Sequence, residues 1–319
     1  MSKTLQSINI SVLDLAMVPE DGSAGTTFAN TADVAQHTEK WGYTRYWLAE
    51  HHNMEGIAST ATAVLIGHVA SKTTTIRVGS GGIMLPNHTP LVVAEQFGTL
   101  ATLFPGRIDL GRAPGTDQLT ARALRRNTDT SSDFPLHVQE LQQYLSVSNK
   151  TSSVRAFPGE GLDIPIWILG SSTDSAYLAA ALGLPYAFAS HFAPAMFTQA
   201  IAIYRREFKP SAQLSEPFVM ACVNVIAADT DAEAARLATS FKRLFLGILT
   251  GNRRKLSEPV DPDGLFDYSE EAALQQMIKY SFIGGPEKVA KELAEFIAMS
   301  GVDELMITSP IYNHEARLR

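Results

Sequence analysis

Residues 45–118 read RYWLAEHHNMEGIASTATAVLIGHVASKTTTIRVGSGGIMLPNHTPLVVAEQFGTLATLFPGRIDLGRAPGTDQ, and their periodicity decides the fold. The aromatic run Tyr43–Ala49 reads as a strand, and Ser59–Lys72 as a helix with Ser59 or Thr60 as its N-cap. Ile76–Leu85 is a second β-rich run in this stretch, and Pro90–Leu103 a helix opened by proline, whose missing N–H costs nothing at that position. Arg107–Gly111 begins the next strand. Strand and helix thus alternate, the signature of parallel β-α units.

Outward from this stretch the alternation continues. Ser7–Leu15 and Thr26–Gly42 precede it as strand and helix. After a long polar insertion to Asp133 come a helix to about Val147, a strand at Ile164–Leu169, and a helix at Thr173–Leu182 closed by Gly183. Tyr186–Ala189 and Phe218–Ala228 read as strands, each followed by a helix, at Ala195–Phe208 and Asp231–Leu249. The polar segment Thr250–Tyr268 interrupts before helical residues at Glu270–Lys279 and Pro286–Met299, and Asp303–Thr308 is the eighth strand. Eight such units in 319 residues predict one closed (β/α)8 TIM barrel with inserted loops, spanning residues 1–319 as a single domain. A doubly wound sheet is the alternative, but no GxGxxG lies between a strand and a helix, and Gly79-Ser-Gly-Gly82 falls inside a strand.

Composition narrows the function. Lysine and arginine total 26 against 33 acidic residues, a net charge of −7 that does not fit phosphate neutralisation on nucleic acid. One cysteine, Cys222, excludes an internal disulfide framework and fits a reducing, cytoplasmic setting. The opening MSKTLQSINISVLDLA has no long apolar core of a signal peptide, and no apolar run is long enough for a membrane span.

In a barrel, chemistry gathers at the carboxyl ends of the strands. Those positions hold Glu50, His51 and His52, then Gly81, Gly82 and His88, then Arg112, then Gly170, Ser171, Ser172 and Ser175, then Ser190 and His191. His51 and His52 point to opposite faces if the strand continues, so the pair does not read as a metal site. A lone histidine at a strand end is either a hydrogen-bonded structural residue or a proton-handling one. Gly81-Gly82 inside a strand reads as a bulge or as bare backbone for a flat ligand. Gly170-Ser-Ser-Thr-Asp-Ser opens a helix with hydroxyls and free N–H groups, either a plain cap or an anion cup. The run Arg253-Arg254-Lys255 reads as a solvated face.

These residues resemble a known family. WLAEHHN at 47–53, VGSGGIMLPNH at 78–88, VAEQFGTL at 93–100 and PGRIDLG at 105–111 are similar, in order, to segments of the bacterial luciferase-like monooxygenases, closest to their YhbW-type branch. LGSSTDSAYLAAALGLPYAFASHFAP at 169–194, GGPEKVAKEL at 284–293 and DELMI at 303–307 extend the resemblance over nearly the whole chain. The resemblance implies a barrel that binds FMN at its carboxyl face, with His51 assisting the flavin's oxygen chemistry and Glu50 beneath the flavin. It implies that Gly81-Gly82 is a non-proline cis peptide against which the ring packs. Arg112 and Arg122 match phosphate-contacting arginines, Ser172 and Ser175 the hydroxyl pair of the phosphate cup, with Gly170, Ser171 and Ser190 beside them.

Two departures stand out. The family's usual GRIDLGLGRAPG is GRIDLGRAPG here, which moves Arg112 by roughly 6–7 Å along its strand. Relatives also continue past NHEARLR, so the last barrel helix is expected to be incomplete. The implied activity is a two-component flavin-dependent monooxygenase. It would use reduced FMN from a separate flavin reductase, and O2, to oxygenate a small apolar substrate such as an aldehyde. A homodimer and a lid at Gly247–Tyr280 are expected with it. A deazaflavin-dependent hydride-transfer enzyme and a non-catalytic flavin-binding protein are the alternatives.

Overall fold

Parallel strands buried on both faces need helices outside and packed side chains inside, and the computed structural model has both. It describes residues 3–113, 118–125 and 133–319. The strands are β1 (Asn9–Asp14), β2 (Arg45–Leu48), β3 (Arg77–Met84), β4 (Ile108–Ala113), β5 (Ile166–Gly170), β6 (Tyr186–Phe188), β7 (Val219–Ala227), β8 (Ser281–Gly284) and β9 (Glu304–Thr308). β1 to β7 pair in sequence order, β7 pairs β9, and β9 pairs β1, closing an eight-stranded parallel barrel. The expected TIM barrel is what forms. β8 was not expected: it lies outside the closed ring, paired only along the far half of β7, from Asn224 to Ala227.

The helices that wrap the barrel are α1 (Ala24–Lys40), α2 (Thr62–Lys72), α3 (Pro90–Leu103), α4 (Gln118–Ala123), α5 (Phe134–Leu145), α6 (Thr173–Leu182), α7 (Phe197–Glu207), α8 (Asp231–Leu249), α9 (Tyr268–Met277), α10 (Pro286–Ser300) and α11 (His314–Leu318). α2 starts later than expected, with Ala61 as an N-cap that offers no side-chain bond. The reason is competition: Ser59 Oγ donates to the Ala49 carbonyl at 2.5 Å, and Thr62 Oγ1 to the same oxygen at 3.0 Å, tying the loop to β2. α6 keeps its expected caps, Ser172 Oγ accepting from the Ser175 N–H and Gly183 turning left-handed at φ 62°. Among the described residues no helix is long and apolar enough to cross a membrane.

Outward-facing strand residues such as Val78, Leu110, Ile168 and Val219 join the helices in the main core. Inward-facing ones, Leu13, Trp47, Trp167, Ala187, Met220 and Met306 among them, fill the barrel itself. Trp47 and Trp167 meet edge to face there at 5.1 Å. The amino-terminal floor is ionic. Arg45 bonds Asp109 at 2.8 Å and Glu304 at 3.0 Å, Arg77 bonds Asp109 at 2.6 Å, and Trp47 Nε1 donates to Asp109 at 3.1 Å.

Candidate active site

At the carboxyl end the barrel opens into a cavity of about 470 Å³ whose walls are mostly apolar. Trp47, Ala49, Gly81, Gly82, Leu169 and Ala187 contribute the barrel side. Six of the chain's nine methionines line it: Met17, Met54, Met84, Met220, Met277 and Met306. Such a volume is typical of a small-molecule site, and unbranched thioethers let the walls adapt to a guest. Arg253 and Met277 come from the segment after β7, so the predicted lid region supplies part of the wall. That roof is sewn to the loop after β1: the Leu256 N–H donates to Val18 O at 3.0 Å and the Glu20 N–H to Leu256 O at 2.9 Å.

The Gly81–Gly82 peptide is cis. The β3–β4 register slips between Ser80 and Ile83, bracketing this bond. A Cβ at Gly81 would stand 2.7 Å from Leu13 Cδ1, and one at Gly82 would stand 2.9 Å from the Gly111 carbonyl carbon. The backbone therefore reaches the cavity wall bare.

Glu50, only 2% exposed, leaves the end of β2 and lines the cavity. Its Oε1 accepts from His52 Nε2 at 2.7 Å and from His88 Nε2 at 2.8 Å, and its Oε2 from the Met84 N–H at 3.0 Å. Burial pushes its pKa up, but the bonds from His88, His52 and the Met84 amide outweigh that and hold it below the ordinary value. One ligand atom each of Glu50, His52 and His88 lies within 4.8 Å of the others, near enough for an ion, and they are spent here on each other. The clasp fixes the ends of β2 and β3 around the loop that carries His51.

His51 lines the cavity with its Nδ1 buried and unpartnered among the described residues, which leaves Nε2 to meet a ligand. Burial lowers its pKa to about 4; Glu50 opposes this, while Arg253 and His52 add to it. The imidazole is therefore neutral at pH 7 and able to take a proton. His191, also in the wall, is lowered to about 3 by burial and then by His51. Asn224 lines the wall beside it, giving Nδ2 to His191 O at 2.7 Å and leaving Oδ1 without a partner among the described residues. Cys222 completes this inward row of β7, its thiol pushed up by burial and so not a thiolate.

The remaining expected residues spread out. Gly170 and Ser171 line the cavity at the start of α6. Ser172 caps that helix, and Ser175 Oγ donates to Ser172 O at 2.7 Å and bonds the Tyr186 hydroxyl at 2.9 Å, so both face the helix rather than the cavity wall. Ser190 is fully buried, its hydroxyl given to Cys222 O at 2.6 Å. Arg112 is also fully buried; Asp109 and Ala113 of the same strand face inward, so Arg112 faces α5, with Nη1 3.4 Å from Val138 O. Burial alone lowers its pKa to about 9, and its Nε and Nη2 have no partner among the described residues. Arg122 is exposed on α4, away from the cavity lining. His191 stands where its strand-end position put it, and Asn224 and the Glu50–His88 tie are additions to the expected set. The period of two along Met220, Cys222 and Asn224 is the signal that would have placed Asn224 on the inner face.

Residues 8–304 match the family model for luciferase-like monooxygenases. A luciferase-like monooxygenase of Escherichia coli (strain K12) is 50% identical over 319 residues, covering 99% of this chain and 95% of the relative. Among solved structures, apo-MsnO8 is 31% identical with a TM-score of 0.86, covering 98% of this chain and 95% of that one. The oxygenating constituent of 3,6-diketocamphane monooxygenase from Pseudomonas putida, solved with FMN, is 15% identical with a TM-score of 0.72, covering 98% and 96%. That last likeness is one of fold. The chain belongs to the luciferase-like monooxygenase family of oxidoreductases.

Proposed function

We propose that this protein is the oxygenating component of a two-component monooxygenase that uses reduced FMN, delivered by a separate flavin reductase, and O2. One oxygen atom enters a small apolar substrate, an aldehyde being one candidate, and the other leaves as water. The observation that carries the reading is the juxtaposition of a neutral His51 with bare Gly81–Gly82 backbone in one mostly apolar cavity. The residues present fit such a cofactor: a flat ring against Trp47, Ala49 and Gly81-Gly82, and an anionic tail toward Ser171 and the amino end of α6. When bound, reduced FMN supplies the two electrons that activate O2.

The chain's own part is to bind, to exclude water and to manage a proton. His51 Nε2 accepts or returns that proton, and the Glu50 clasp orients the loop that carries it. The methionine-lined wall takes the substrate, and the segment 247–280 closes over it. Homodimerisation and a cytoplasmic setting accompany this reading.

The test is rapid mixing of protein and photoreduced FMN with oxygenated buffer, following the return of oxidised-flavin absorbance. A delayed return that His51→Ala shortens is the expected result. Return at the rate of free flavin, with weak FMN affinity and tight deazaflavin binding, would replace this reading by deazaflavin-dependent hydride transfer.

A further inference from the structure

The run Arg253-Arg254-Lys255 has so far no place in the site beyond one wall contact. A second cavity of about 500 Å³ lies outside the first, between the loop 53–57 and the segment after α8. The two share Met54, Ile57, Leu244, Ile248 and Arg253 as walls. They form an inner chamber and an outer vestibule with a common partition. Arg253 stands in that partition and Arg254 in the vestibule wall. A Cβ on Gly56 would meet the Arg254 carbonyl oxygen at 2.6 Å, so the vestibule's two sides touch through bare backbone.

The charges here are unequal. The acid of the vestibule loop, Glu55, is taken by Lys255 at 3.4 Å. Arg254 Nε donates to Asn252 Oδ1 at 3.2 Å, and among the described residues Arg253 has no ion pair. In a chain of net charge −7, two guanidinium groups therefore front an apolar chamber. The charge of Arg253 is felt as far in as His51.

The geometry points to an amphiphilic carboxylate as the substrate class, which narrows the small apolar substrate to one that is apolar only in its reacting part: its apolar tail lies in the methionine-lined chamber and its carboxylate is held by Arg253 at the partition. A guanidinium fork pairs with a carboxylate through two parallel bonds, and a flexible tail suits walls of thioethers. A cationic head would be repelled at the same place, and a neutral one would forgo the charge-assisted bonds. The assignment rests on the monooxygenase reading only for what happens to the bound molecule.

Calorimetric titration of the full chain with octanoate and with 1-octanol tests it, with and without saturating FMN. Octanoate is expected to bind about tenfold tighter than 1-octanol, a preference that added salt reduces. Arg253→Gln is expected to erase the preference while leaving 1-octanol binding and the melting temperature unchanged, and Arg254→Gln to reduce it less. Equal binding of the two probes by the unaltered chain, or a preference that survives Arg253→Gln, overturns the proposal. So does an Arg253→Gln chain that loses affinity for inorganic phosphate and FMN but not for octanoate, which would make Arg253 a cofactor-phosphate residue. Because the readout is binding without turnover, the octanoate preference can fail while FMN-dependent oxygen chemistry stands, and the reverse.

Discussion

The two ends of the barrel handle buried polarity in opposite ways. At the floor, both oxygens of Asp109 are bonded, Oδ1 by Arg77 and Oδ2 by Arg45 and Trp47, and Glu304 accepts from Arg45 and Ser11. At the mouth, His51 Nδ1, His191 Nδ1 and Asn224 Oδ1 are buried without partners among the described residues. A buried group left unpaired costs stability, so the floor's arrangement holds the barrel together while the mouth's is held at stability's expense. The difference teaches where each end's residues should be read: as a fastening below, as unspent chemistry above.

Four measurements can break or sharpen that contrast. The largest effect is expected at the floor: Asp109→Ala removes the partner shared by Arg45, Arg77 and Trp47, leaving Arg45 to Glu304 and Arg77 to the Ile108 carbonyl, and should cost about 3 kcal/mol in urea unfolding. A loss below about 1 kcal/mol would end the claim that the floor is a fastening. At the mouth, His51→Ala should lower substrate oxygenation at least about a hundredfold, with the urea midpoint unchanged or raised, since a buried unpaired nitrogen goes with the ring. An unaltered rate would return His51 to a structural role.

Acid should separate the ends further. His51 and His191 have folded pKa values of about 4 and about 3, below their ordinary 6.5. Between pH 6.5 and about 4 the unfolded chain therefore binds more protons than the folded one, so stability falls as pH falls. Glu50, also depressed, adds a loss of the same sign as its carboxylate is protonated. A His51→Gln, His191→Gln double variant should show a flatter melting temperature across that window; an unchanged slope would mean the mouth histidines are not the source. The smallest effect belongs to neither end. Glu233→Ala breaks the exposed Arg236 pair on α8 and should change stability by about 0.5 kcal/mol or less in thermal melts. A larger cost would show that charge pairing matters wherever it occurs, and the contrast between floor and mouth would lose its force.

Much of the fold was legible because its cues are local. Pro90 opens α3, Gly183 closes α6, and strands such as Val219–Ala227 are apolar on both faces. β8 escaped because its four residues pair along one edge only, and so lack the run that a central strand needs. The Ser59 cap failed because a carbonyl on β2 outcompeted the helix for that hydroxyl. At the site, Glu50, His51 and Gly81-Gly82 could be found from their place at strand ends. The Glu50–His88 bond could not, since it spans 38 residues and depends on how β2 and β3 align. Arg122 was chosen by pattern and stands exposed, whereas Arg253, read as part of a solvated face, stands between two cavities.

The roof and the seam of the barrel impose a schedule on synthesis. β1 meets β2 early, but its other edge is taken by β9 and the loop after it bonds Leu256, so these partners are made some 240 to 290 residues later. At about 5–20 residues per second, a nascent chain waits roughly 10–60 s with that edge open. The unclosed edge of β1 is open to wrong pairing throughout that wait, and the cavity comes into being only once β9 has joined.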